Sequence, residues 1–393
     1  MFLSKLGATA AVGTALVLAA SPALAATGWT IVTAPPTGVN ASFTGVSSTS
    51  DSGAWAVGSE NAELNGVGAK VLIDHWNGTA WSQVATPATP GNTASLAGVS
   101  ASSTTDAWAI GRTQVNREDF APLALHWNGT AWSVSPSAAT ALAGQIGAGV
   151  ADISPADAYA IGGGLGSAST GLVAQWNGAT WTRLTVPQPS TDGLASNLDA
   201  IAADGPDNVW IVGTYTDEIS SAFFPTETYA LHWNGTAWSV VSMPLVGSSN
   251  VNAFFHLNAL QVNSPTDVWA VGDQGIAGTT TGSTLIEHWN GTAWSVVPSP
   301  SPGSGADLTG VTTSNAANDV WAVGDATPAG GTVAQTLTLN WNGTSWVTVP
   351  SADAATGASV LTGVATTPGA AIVQAVGLSG SSGAENPLAE QNG

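Results

Sequence analysis

Few residues in this chain could do chemistry. It has five histidines, 25 acidic residues, five basic ones and no cysteine. Without cysteine there are no disulfides, thiolate metal sites or cysteine nucleophiles. His75, His126, His232 and His288 each stand directly before a tryptophan, so they recur as parts of a unit and do not converge as a site. His256, in Phe254-Phe255-His256-Leu257, has no such place. A metal centre draws two or more His or carboxylate ligands to one point, and no spacing here gathers them. A glycosidase needs two carboxyls about 5 Å apart or about 6.5 to 9.5 Å apart. Asp217, Glu218, Glu227, Asp273, Asp325 and Glu118 are available, and the spacing singles out no pair. A Ser-His-Asp site would have to borrow His256 or a repeated His, and no nucleophile-elbow motif supports it. The sequence therefore assigns no catalytic residue, no metal ligand and no cofactor. A glycoside hydrolase or lyase using loop carboxylates stays open as the alternative.

The elements that must position these groups come from a repeat. Asp267-Val268-Trp269-Ala270-Val271-Gly272, followed by His288-Trp289-Asn290-Gly291-Thr292-Ala293-Trp294, recurs seven times with variation. The Trp of the first motif aligns as Trp55, Trp108, Tyr159, Trp210, Trp269, Trp321 and Gln374, and that of the second as Trp76, Trp127, Trp176, Trp233, Trp289, Trp341 and Gln391. A period of about 50 residues marks supersecondary units that bury their apolar faces only against one another.

Each unit carries four strand-like runs. The first holds a recurring small residue (Gly45, Gly98, Gly149, Ala200, Ala259, Gly310, Gly363), expected where strands crowd together. The second is the Val-Trp-Ala-Val-Gly run, entered through a turn with Asp106, Asp157, Asp207, Asp267 or Asp319, expected to bond its own turn backbone. The third and fourth flank an Asn-Gly pair, a hairpin signal because both residues tolerate positive φ. Four antiparallel strands repeated radially describe an all-β fold, a seven-bladed β-propeller. The seventh unit ends at Gly393 without a fourth strand, and Gly28-Trp29-Thr30-Ile31-Val32 supplies the missing one, so the last blade is closed by the N-terminal strand.

This layout resembles the Kelch and galactose-oxidase-type propellers: a Val-Trp-Ala-Val-Gly strand, a variable loop, an aromatic, a two-residue turn and a Trp-containing outer strand. It departs from them in keeping a Gly-Gly doublet only at Gly162-Gly163 and in placing His-Trp-Asn-Gly where a Tyr-Asp-type turn is usual. The resemblance implies copper chemistry on a tyrosine crosslinked to cysteine, and the missing cysteine excludes it.

Residues 1–25 have Lys5, an apolar run from Leu6 to Ala20, and Ala23-Leu24-Ala25, the pattern of an export signal. The expected organisation is a signal peptide over 1–25 and one propeller domain over 26–393. The run is too short to span a bilayer, so no membrane insertion is expected after cleavage, and the protein is expected to be secreted, extracellular and monomeric. Losing Lys5 moves the formal charge from −20 to −21. Four remaining bases cannot build the basic stripe a phosphate backbone requires, so no nucleic-acid partner is expected.

All eighteen Trp fall at repeat positions and read as core between blades. Function is then sought where the repeat is interrupted, on the face holding the loop between strands two and three and the links between blades. Tyr215, Asp217, Glu218, Phe223, Phe224 and Glu227 fall in the long fourth-blade loop, and Phe254, Phe255 and His256 end the link into the fifth blade. Aromatics beside carboxylates suit binding of an extracellular polysaccharide or protein, with rings stacking and acids bonding to hydroxyls or amides. Two alternatives stand beside this: the rings pack the two loops together, or the chain is a structural surface protein with no ligand site.

Overall fold

The computed structural model describes residues 28–393 except 36, 51, 62–67, 117–118, 165–169, 190–195, 217–225, 245–252, 277–278, 280–281, 315–317, 355–356, 367–371 and 393. Seven four-stranded antiparallel sheets form seven blades, and the first strand of each packs on the first strand of the next, closing the ring. The seventh sheet holds Ala358–Thr366, Val373–Ser381 and Ala384–Asn392 with the N-terminal strand Thr30–Ile31 as its outer edge. Thr30 stands opposite Gln391 and Ile31 opposite Glu390. Trp29 is 4% exposed and meets Trp321 of blade six edge to face at 5.5 Å. The register also corrects one alignment: Asn392, not Gln391, occupies the third-strand Trp position, since it pairs with Val373 as Trp289 pairs with Val268.

The second-strand Trp is the centre of each interface. Trp269 packs against Trp341 and Trp346 of the next blade at 5.3 and 5.4 Å, and Trp55 against Trp127 and Trp132 at 4.8 and 5.1 Å. Truncating such a ring to Ala costs about 3 to 5 kcal/mol. The histidines stack on these rings: His288 on Trp269 at 4.2 Å, His126 on Trp108 at 4.4 Å, His232 on Trp210 at 4.1 Å.

Two local expectations change. The turn aspartates bridge to the third strand: Asp106 Oδ1 and Asp267 Oδ1 each lie 2.7 Å from Nε2 of His126 and His288, and Asp157 accepts from Gln175 at 3.0 Å. In blade four the equivalent residue is Asn208, not Asp207, and it holds His232 at 2.8 Å. The Asn-Gly turns use positive φ only at glycine, as at Gly291 (+92°). The asparagine acts through its side chain, as where Asn290 Oδ1 accepts the N–H groups of Thr292 and Ala293, both at 3.0 Å.

One element was not foreseen in an all-β chain. The link into blade three folds as a short helix, Pro136–Ala141, with proline in its first turn and Ala138, Ala141 and Leu142 buried between blades. Arg183 holds its C-terminal end, donating to the carbonyls of Ala141 (2.9 Å) and Ala143 (3.1 Å), where the helix dipole favours a cation.

A bulge recurs in every first strand and puts one residue out of the ladder: Thr44, Ala97, Ala148, Asp199, Asn258, Thr309 and Thr362. Bulges re-aim side chains, and here they reach sideways. Thr44, Thr309 and Thr362 donate to the carbonyls of Leu96, Leu361 and Phe43 in the following blade at 2.8, 2.6 and 2.9 Å. The glycines beside them meet across the same seam, where a Cβ on Gly45 would stand 3.2 Å from Gly98 Cα.

Candidate functional site

Because strands alternate in direction, the first strands begin, and the second strands end, on the face that carries the irregular loops. On that face blades four to six gather a set of polar groups. Blade five begins with Ala253–Ser264 and continues with Asp267–Ile276, which places His256 opposite Asp273. Blade six uses Ser304–Thr313 and Val320–Thr327, which places Asp307 opposite Asp325 in the equivalent position. Blade four adds Asp199 from its bulge, where Thr214 Oγ1 donates to it at 3.2 Å. The bulge residue of blade five, Asn258, donates to Asp307 Oδ1 at 2.8 Å and to the Leu308 carbonyl at 3.1 Å, tying blade five to blade six through the site.

The electrostatics show these groups to be neighbours. The bond from Asp273, at 3.3 Å from Nδ1, holds the His256 imidazole above its ordinary range, with Asp199 and Asp307 adding to it against partial burial. Burial, with Asp273 and Asp325 nearby, pushes Asp307 up to about 7. Burial pushes Asp199 and Asp325 each up to about 6. Near neutrality Asp199, Asp307 and Asp325 can therefore hold protons or release them.

The nine residues singled out from the sequence divide. Tyr215 and Glu227 lie on facing strands of blade four, Asn208–Thr216 and Thr226–Trp233, paired in register, with the Tyr215 hydroxyl donating to Glu227 Oε2 at 2.8 Å. Phe254, Phe255 and His256 belong to the first strand of blade five, not to the link. Phe254 stacks on His256 at 5.1 Å and lies over Gly275, whose added Cβ would come within 2.8 Å of the ring. The His256 side chain is 47% exposed. Phe255 faces the other way, 9% exposed in the core between blades four and five with Trp210 and Val212, so it is not a surface for ligand. Asp217, Glu218, Phe223 and Phe224 lie outside the described residues.

Asp273 and Asp325 were in view as loose carboxylates, whereas Asp199 and Asp307 were missed. A signal existed. The residue after the second-strand glycine is Ser59, Arg112, Gly163, Thr214, Asp273, Asp325 and Leu378 around the ring, so Gly-Asp occurs in two adjacent blades and Gly-Arg in blade two. Among the described residues, no group of three His, Asp or Glu is arranged to hold a metal ion.

This is a seven-bladed β-propeller with an acidic, His-containing sector on one face. No family model matches the chain, and no curated protein matches it by sequence. Solved structures match it as a fold. An ulvan lyase of polysaccharide lyase family PL25 aligns with a TM-score of 0.52 at 10% identity, over 92% of this chain and 93% of that one. YCF48, solved bound to a D1 peptide, aligns with a TM-score of 0.51 at 15% identity, over 94% of this chain and 98% of that one. A fucose-specific lectin from Aleuria aurantia overlays more loosely, with a TM-score of 0.47 at 14% identity, over 81% of this chain and 99% of that one. At these identities the likeness is one of fold, and a fold hosts many functions.

Proposed function

We propose that this is an exported binding propeller whose irregular face, over blades four to six, recognises an extracellular glycan. The observation that carries the proposal is the convergence of Asp199, His256, Asp273, Asp307 and Asp325 beside the Phe254 ring; the Tyr215–Glu227 pair faces the other side of blade four, with Tyr215 packed toward blade three, and takes no part in it. Carboxylates accept hydroxyl hydrogens and a neighbouring ring offers stacking area, the two needs of a sugar. With the chain at −20, the acidic sector favours neutral or amine-bearing sugars and repels polyuronates and sulfated chains. A protein ligand fits the same chemistry where it presents lysine or arginine. Kinship with the Kelch and galactose-oxidase-type propellers rests on the sequence layout of the blade alone.

A panel of immobilised polysaccharides tests this. Retention on at least one neutral or amino-sugar polymer, lost in His256→Ala and Asp307→Asn, is expected. Equal retention of wild type and both variants contradicts it.

One observation favours a catalytic second reading. Asp307, pushed up to about 7 by burial with Asp273 nearby, can hold a proton near neutrality, and a carboxyl of raised pKa is the group a glycoside hydrolase uses as its general acid. New reducing ends from a retained glycan, absent with Asp307→Asn, would establish it.

A further inference from the structure

Three blades bury a carboxyl where the others place an aliphatic side chain. At the ladder position two before the third-strand Trp stand Leu125, Ala174, Leu231 and Leu339 in blades two, three, four and six, but Asp74, Glu287 and Glu390 in blades one, five and seven. The three acids are at most 1% exposed. Among the described residues neither carboxyl oxygen of Asp74 or Glu287 meets a hydrogen-bond partner. Glu390 receives Ser351 Oγ at 2.6 Å and the Ala352 backbone N–H, both of which favour its ionised form without overcoming burial, and its Oε1 meets no partner among the described residues.

Each acid lies in the slot between two blades. Asp74 shares the face of Leu72 and Trp76, which packs on Val376 and Ala389 of blade seven. Glu390 shares the face of Leu388, which packs on Trp321 and Val323 of blade six. Glu287 shares the face of Leu285, which packs on Trp210 and Val212 of blade four. Among the described residues, the charged groups acting on them are themselves acids: Glu60 on Asp74 and Asp353 on Glu390, with none acting on Glu287. An ionised carboxylate buried in such a slot, with no counter-charge among the described residues, is a strongly disfavoured state. Burial accordingly pushes Asp74 and Glu390 up to about 7 and Glu287 up to about 8.

Two of the three flank the blade that closes the ring. Glu390 lies within it, directly opposite Ile31 of the N-terminal strand, and Asp74 presses on its other side. We propose that Asp74 and Glu390 form a pH-sensitive clasp on the closing blade, shut while protonated and opened by ionisation, which releases the N-terminal strand from the C-terminal one. Both groups bind protons more tightly in the closed ring than in an open chain. Their contribution to closure is complete below the ordinary carboxylate range, near pH 4, and is lost as pH rises through about 7. Opening bares the edge of Ala384–Asn392, a template for pairing with another chain. Glu287 ionises between blades four and five with no chain end to release, so it serves as the internal comparison.

Hydrogen exchange on the full ring, corrected for intrinsic rate, tests the clasp. Between about pH 5.5 and about pH 8.5, protection of peptides covering 29–32 and 384–392 should fall at least about tenfold further than that of blades two and three. The Asp74→Asn, Glu390→Gln double variant should keep that protection at both pH values. No selective loss in wild type, or the same loss in the variant, overturns the proposal. If the double variant does not fold, Glu390→Gln alone must remove the greater part of the loss, and a full loss in that single variant overturns the proposal equally.

Discussion

Asp307 stands directly across the ladder from Asp325, one blade on from the equivalent pair of His256 and Asp273. Two neighbouring blades thus point the same ladder position toward one sector of one face. That position is free to vary because the core is carried elsewhere, by the Trp and His residues further along each strand.

Protonation should tune the site. Asp307 is pushed up to about 7 and Asp199 and Asp325 to about 6, so raising pH from about 5 to about 8 adds negative charge at the sector. Affinity for a lysine- or arginine-bearing peptide, which keeps its charge over that window, should rise by about tenfold or more, and affinity for a polyuronate should fall. Titration calorimetry at the two ends of the range reads both. The same raised values mean that these acids stabilise the fold fully only below about pH 4 and cease to do so as pH passes about 6 to 7.

Gly272 should prove indispensable to the site without touching ligand. A Cβ there would stand 2.1 Å from the His256 carbonyl oxygen, and the matching glycines Gly58, Gly111, Gly213, Gly324 and Gly377 meet first-strand carbonyls at 2.0 to 2.1 Å. Gly272→Ala should displace His256, lower the melting temperature and weaken binding more than Gly111→Ala, whose equivalent clash with the Ser95 carbonyl lies in blade two. Circular dichroism melts alongside binding assays separate the two effects.

The Asp–His bridges are scaffold. His288 and Asp267 are only partly buried, so Asp267→Ala should destabilise by about 0.5 to 1.5 kcal/mol, the net worth of one hydrogen bond, while leaving ligand binding intact in the folded fraction. Bonding to His288 holds Asp267 below the usual carboxylate range. Its contribution is therefore present above about pH 4 and lost as pH falls through that lowered value, the reverse of Asp199, Asp307 and Asp325. Chemical denaturation at several pH values checks the sign.

Closure depends on the first strand of the described chain. Deleting Thr27 to Ala34 removes Trp29 from its contact with Trp321 and bares the edge of Ala384–Asn392. The melting temperature should fall sharply, by about 5 °C or more. An unchanged melt would refute the stitched blade.

The architecture was legible because it is written seven times: each Trp, each Val-Gly and the orphan segment at Trp29 has a place only in a closed ring. The turn chemistry was half legible. Asp106 and Asp267 looked like turn formers because their partners, His126 and His288, sit about 20 residues away on another strand, a distance that no local rule spans. The site was only partly legible. His256 stood out by type, and Tyr215 did too although it packs toward blade three; Asp199 reaches the face through a bulge, and Asp307 is one acid in a run of small residues until its register with Asp325 is known. Phe255 could not be told from Phe254, since they differ only in which side of one strand each faces.

The most direct measurement is the affinity of wild type and a His256→Ala, Asp307→Asn variant for the glycan retained in the polysaccharide panel, at neutral pH and with matched melting curves. A loss of at least about tenfold in the variant, with folding preserved, is the expected result. Binding that is unchanged, or that maps to the Asn-Gly face instead, would contradict a site at blades four to six.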